Sequence, residues 1–215
     1  MQNYYTLAKE TSVEIEIKKS KFIGYLKGTA SEAEAVEYIA AIKKQHREAT
    51  HHCSAFRIAG AIALERYDDD GEPSKTAGLP MLSVLQRREL WNVTAVVVRY
   101  FGGTLLGTGG LTRAYSEAVR ESLADNPPVY RQLFAVLALE CPYNWNDKVS
   151  YELERQSIST GQIDYSDKVE YELFVEKEKA ADFIRRFQEL TEAQARITQI
   201  GEQYGYYFAG KLITG

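Results

Sequence analysis

RYFGGTLLGTGGLTRAY, residues 99–115, places Gly102, Gly103, Gly107, Gly109 and Gly110, five of the chain's 15 glycines, within seventeen positions. AVVV at 95–98 is a short β-branched run suited to a fully covered strand. Beyond the glycines, Leu111, Ala114, Tyr115, Ala118, Val119, Ser122 and Leu123 recur at helical spacing and form one inward stripe. The stretch therefore reads as a strand–loop–helix corner. A P-loop would need lysine directly after its second glycine, but Gly107 is followed by Thr108-Gly109. A dinucleotide fingerprint counted from Gly107 and Gly109 meets Thr112 where its third glycine should stand. Two readings remain open. The free N–H groups of the helix start, beside Arg113, could meet an anion. Alternatively, the glycines serve only tight turning and close helix-to-sheet packing.

Outward from this corner the chain divides. Asp125-Asn126-Pro127-Pro128 ends the helix, because proline disfavours helical geometry at the preceding residue and donates no backbone hydrogen bond. The expected domains are 1–128 and 129–215. In the first, Val13, Ile15 and Ile17 alternate as a half-buried strand, and KFIGYLKG supplies its hairpin partner. Ser31 and Glu34 open a helix with a capping-box pattern, CSAFRIAGAIALERY is extended, and a short helix runs from Pro80 to Leu90. This order predicts an α+β domain with helices packed on one face of a sheet. In the second domain, LFAVLALE is a strand and Trp145, Val149 and Leu153 mark a helix. SISTGQIDY and KVEYELFV form a hairpin, a strongly amphipathic helix carries Ala180, Phe183, Ile184, Phe187 and Leu190, and RITQIGEQY is the last strand. The βαββαβ order is the ferredoxin-like arrangement.

The 215 residues comfortably build two cores, and no apolar run approaches the roughly 20 residues that cross a bilayer. No signal-peptide pattern opens the chain, so a cytoplasmic protein with no membrane role is expected. Cys53 and Cys141, the two cysteines, are expected reduced. A net charge of −4 offers no bulk attraction to nucleic acid. The first half, however, balances its charges, and Arg87, Arg88, Arg99, Arg113 and Arg120 fall near the glycines.

Two further clusters could carry chemistry. RYDDDGEPSKTAGLP holds Asp68, Asp69, Asp70 and Glu72, yet its acids lack the alternate spacing of a calcium loop. An Asp-Gly turn with solvated acids, acid/base or Mg²⁺ chemistry, and partner contact remain as readings. HREATHHC gathers His46, His51 and His52 beside Cys53, without the ligand pairs of a zinc site. No metal and no cofactor is expected, and no hydrolase, metalloprotease or kinase signature occurs.

HHCSAF, DDDGEPSKTAGLP and VVVRYFGGTLLGTGGLTRAY, in this order, resemble the YigZ/Impact family over residues 1 to 128. The second half is similar to the C-terminal domain of its bacterial members. The resemblance implies a first domain like the second domain of a small-subunit ribosomal protein, and a second like the last domain of elongation factor G. Eukaryotic members resembling the first domain act in translational control, by competing for a co-activator of a kinase that phosphorylates an initiation factor. No catalytic set is implied. The motif positions carried over include His51, Cys53, Asp69, Asp70, Glu72, Arg99, Tyr100, Phe101, the five glycines, Arg113 and Tyr115. Lys75 stands where a small residue is usual, and His52-Cys53-Ser54 replaces a more usual Asn-Cys-aromatic.

The leading expectation is a non-catalytic, translation-associated protein that binds RNA, the ribosome or a translation factor. Its contact face would comprise Arg99, Tyr100, Gly102, Gly103, Gly107, Gly109, Gly110, Arg113 and Lys75. One alternative is a hydrolase or phosphotransferase using His51 with Asp69, Asp70 or Glu72. The other is a protein-interaction module acting on a regulatory kinase or its co-activator.

Overall fold

The computed structural model describes residues 3–214, which form two compact units, Asn3–Tyr130 and the chain from Arg131 onward. In the first, five strands make an antiparallel sheet in the order β2 (Thr11–Ile17), β3 (Ser20–Gly28), β6 (Val93–Tyr100), β4 (His51–Ile58), β5 (Leu64–Asp68). A short strand β1 (Tyr4–Thr6) precedes them. Helices α1 (Glu32–Gln45), α2 (Gly78–Arg87) and α3 (Thr108–Ala124) complete the unit.

Helices cover both faces of this sheet, where the sequence order suggested one. Seven of the eight residues of central β6 are buried, so each face of that strand needs a cover. Val93, Ala95 and Val97 pack with Leu85 of α2 and Tyr115 and Ala118 of α3. Val96 and Val98 point the other way, to Tyr38 and Ile42 of α1. Period-two alternation thus assigns every side chain near the corner to one face or the other. α1 begins as its capping pattern requires, with the Glu34 amide donating to the Ser31 hydroxyl at 3.2 Å.

In the second unit, strands run in the order β11 (Lys211–Thr214), β10 (Arg196–Phe208), β7 (Val129–Cys141), β9 (Val169–Glu176), β8 (Ser159–Tyr165). Helix α4 (Tyr143–Arg155) joins β7 to β8, and α5 (Ala180–Leu190) follows β9. Leaving aside β11, this is the strand order of the split βαβ fold. Leu137, Leu139, Tyr171 and Leu173 form the core with Phe183 and Phe187 of α5. The alternate positions of the same strands set Glu140 opposite Glu170 and Ala138 opposite Glu172. On that face Arg196 of β10 stands opposite Glu140 on its other side, and Lys168 Nζ lies 3.9 Å from the Glu140 carboxylate.

Candidate functional site

The corner is built around one buried carboxylate. On the α2/α3 face, Phe22, Arg99 and His51 sit side by side on β3, β6 and β4. The loop after β5 delivers Glu72 to them, 8% exposed. Glu72 Oε1 accepts from Arg99 Nη1 at 2.6 Å and from the Tyr115 hydroxyl at 2.7 Å. His51 Nε2 lies 3.9 Å from the same oxygen. The Arg99 guanidinium also stacks near the Phe22 and Phe101 rings, with its carbon 5.4 and 5.5 Å from their centroids. Burial first, then the neighbouring Cys53 and Glu72, push the Tyr115 hydroxyl well above its usual range, so it stays protonated and donates. Breaking a buried pair of this kind leaves an uncompensated charge, which makes it a structural clamp between strand, loop and helix.

The aspartates of the acidic loop also have assigned work. Asp69 accepts from the backbone N–H groups of Lys75, Ala77 and Gly78 at 2.7, 2.9 and 2.8 Å, capping the start of α2. Asp70 accepts from Lys43 Nζ at 2.9 Å and from the His52 amide at 2.7 Å. Burial alone would raise the Asp70 carboxyl; the Lys43 and His52 hydrogen bonds outweigh it and hold the group below its usual value. His51 Nδ1 pairs with the Asp70 carbonyl oxygen at 2.8 Å.

Adjacent His51 and His52 separate across the sheet. His52 joins a network on the α1 face, where its Nε2 meets the His46 carbonyl at 2.9 Å. His46 bonds the Tyr25 hydroxyl at 2.7 Å and the Tyr100 hydroxyl at 2.9 Å. Burial, then His52, lowers the His46 pKa. No sequence motif announces this network, because its members come from β3, the C-terminal cap of α1, β4 and β6.

From Phe101 to Gly109 the chain is largely open to solvent. Phe101 is 46% and Leu105 82% exposed, and Gly103 and Gly107 adopt positive φ angles. Gly102 approaches the Lys18-Lys19 turn so closely that a Cβ there would lie 2.0 Å from the Lys19 carbonyl. Gly107, at φ 70°, turns the chain into α3 and supplies no side-chain cap. Gly109 and Gly110 occupy the first turn, one helical turn ahead of exposed Arg113. Lys75 is exposed, and its side chain makes no ion pair with a described residue.

Of the expected contact face, the structure brings together the glycine loop and the exposed side chain of Arg113. It removes two members. Arg99 is 5% exposed and held by Glu72, because every position of β6 up to it is enclosed. Tyr100 points to α1 and bonds His46. His51, Glu72, Asp69 and Asp70 do converge beside the strand entering the glycine loop, but their hydrogen bonds go to the protein itself. Cys53 donates to the Asp69 carbonyl at 3.0 Å, and burial pushes its thiol far up, away from the thiolate a nucleophile needs. No group of three or more His, Cys, Asp or Glu residues that could hold a metal occurs among the described residues, and no described helix is long and apolar enough to cross a membrane. Sequence reading missed Ser20, which accepts from the Gly102 amide at 3.1 Å, and the clamp role of Tyr115.

Comparison with known proteins places both units. Residues 18–123 match the Impact N-terminal domain, and residues 139–194 match a domain of unknown function, DUF1949. "IMPACT family member YvyE" of Bacillus subtilis (strain 168) is 42% identical over 199 residues, covering 93% of this chain and 92% of that protein. "IMPACT family member YigZ" of Escherichia coli (strain K12) is 39% identical over 147 residues, 67% of this chain and 72% of that one. A crystal structure described as that of a hypothetical protein matches with a TM-score of 0.59 and 32% identity, covering 94% of this chain and 98% of that one. With sequence likeness along nearly its whole length and the Impact N-terminal domain matched across residues 18–123, the chain belongs to the IMPACT family.

Proposed function

We propose that this protein is a non-catalytic, translation-associated binding protein whose first unit meets RNA or the ribosome through the glycine loop, Arg113 and Lys75. One observation carries the reading: Arg99, Glu72, Tyr115, Asp69 and Asp70 spend their hydrogen bonds inside the fold, with Arg99 Nε buried and unpartnered among the described residues, while the loop between Arg99 and Tyr115, with a cation beside it, is left outward. A catalytic centre would keep a base and an acid within reach of substrate. Here Glu72, Asp69 and Asp70 hold Arg99, the start of α2 and Lys43. The uncapped start of α3 offers free N–H groups to a phosphate. The role that the family resemblance implies, translational control, agrees with such a surface.

The test is association of the purified protein with ribosomes and with ribosomal RNA at about 50 mM salt, a condition that favours phosphate contacts. Binding that weakens in Arg113→Ala and Lys75→Ala is the expected result; absence of binding at this salt overturns the reading. Exposed Phe101 and Leu105 favour a second reading, a protein partner of the translation apparatus. Co-purification from lysate with and without nuclease separates the two, since a protein contact survives loss of RNA.

A further inference from the structure

We infer that the groove between α2 and α3 is a track for the phosphodiester backbone of a single RNA strand, an assignment that rests on the RNA-binding reading above. The groove, of about 250 Å³, is lined by Lys75, Ser83 and Arg87 on the α2 side and by Thr112, Ser116 and Arg120 on α3. No carboxylate lines it. Its floor is apolar, formed by Leu79, Pro80 and Val84.

The helical repeat creates this arrangement. Leu79, Ser83 and Arg87 follow one another at four-residue steps on α2, and Thr112, Ser116 and Arg120 do the same on α3, so each row lies on one side of its helix. Arg88 just beyond α2 shares a second hollow, which holds the carboxylates of Glu117 and Glu121, with Arg120, Leu123 and Ala124, so the C-terminal ends of the two helices lie together and the helices run in parallel. Each row spans eight residue steps, about 12 Å of helix, longer than one phosphate requires. Lys75 therefore marks the end at which both helices start, beside the glycine loop, and Arg87 and Arg120 mark the other.

The chemistry matches a polyanion with regular charges. The side chains of Lys75 and Arg87 form no ion pair, and the Thr112 and Ser116 hydroxyls no hydrogen bond, with described residues, whereas the Ser83 hydroxyl donates to the Leu79 carbonyl at 2.9 Å. Arg120 pairs with Glu117, but both are more than 40% exposed, so the pair is weak and open to exchange for phosphate. Cations at the two ends with hydroxyls between them meet charge and hydrogen-bond demand along a phosphate chain. The track also continues the proposed contact face, since its Lys75 end opens there.

The experiment measures the affinity of the full-length protein for a labelled oligouridylate across a salt series. Each lost phosphate contact on a single strand lowers the slope of log K against log salt by about 0.7. Arg87→Ala and Arg120→Ala should each remove about that much, their double variant about twice as much, and Arg87→Lys should retain the slope. Both arginines are exposed, so circular dichroism and thermal melting should match the unsubstituted protein. If Arg113→Ala weakens binding while the double variant keeps the original slope, the track is wrong and the RNA-binding reading stands. If neither oligouridylate nor ribosomal RNA binds, both fail. If polyglutamate binds and RNA does not, the groove serves an acidic protein segment and the track is overturned.

Discussion

The two ends of the 99–115 stretch and its middle are built to opposite specifications. At the ends, Arg99 and Tyr115 converge on buried Glu72 and are closed to solvent. In the middle, Phe101 and Leu105 stand out from the surface and two glycines hold left-handed backbone. A motif can therefore be specific for two unrelated reasons. Its polar ends fix one packing of strand, acidic loop and helix. Its glycine-rich centre shapes what the outside meets.

Removing the carboxylate should separate these roles most strongly. Glu72→Ala leaves the Arg99 charge buried without its partner, a loss of about 3–5 kcal/mol, readable as a collapse of the urea midpoint. A loss below about 1 kcal/mol would mean that the clamp contributes little to the fold. Gly102→Ala probes the boundary between end and middle. The new methyl must push against the Lys19 backbone, at a cost of about 1–3 kcal/mol, whereas an unchanged melting temperature would show that the turn yields freely.

A smaller effect tests the opposite face of the sheet. Burial keeps His46 neutral between Tyr25 and Tyr100, so its folded pKa lies below the unfolded value. The unfolded chain then binds more protons as pH falls below about 6.5. Stability from this site is fully present above that pH and is lost progressively as acid is added toward the lowered pKa. Urea midpoints measured from pH 7 to pH 5 should fall, and less so in His46→Gln. Equal slopes in both proteins would refute the burial cause. The Asp70 pKa is lowered too, but from an ordinary carboxylate value far below that of an imidazole, so its contribution persists through this window and fades only in stronger acid.

Much of this architecture is legible before the structure is seen. Alternation of Val13, Ile15 and Ile17 gives β2, and the period-3.6 stripe from Leu111 to Leu123 gives α3. The buried run at Val93–Arg99 already implies cover on both faces, but the chain order of helices does not say which face each takes. That choice depends on how the connections cross the sheet. The site was harder to read for the same physical reason. Arg99 looks like a free cation in a row of residues, and only the fold brings Glu72, 27 positions away, onto its guanidinium. Arg113 and Lys75 need no distant partner, and so their sequence-level exposure survives in three dimensions.

The smallest expected stability change belongs to Arg113, the exposed cation to which the proposed contact is assigned. Arg113→Ala should alter stability by less than about 0.5 kcal/mol, as for most exposed substitutions. The decisive measurement sets this variant beside the unsubstituted protein in ribosomal-RNA binding at low salt, with thermal melting of both samples. Weaker binding at an unchanged melting temperature is the predicted result. Undiminished binding by Arg113→Ala would contradict the assignment of contact to the exposed middle of the stretch.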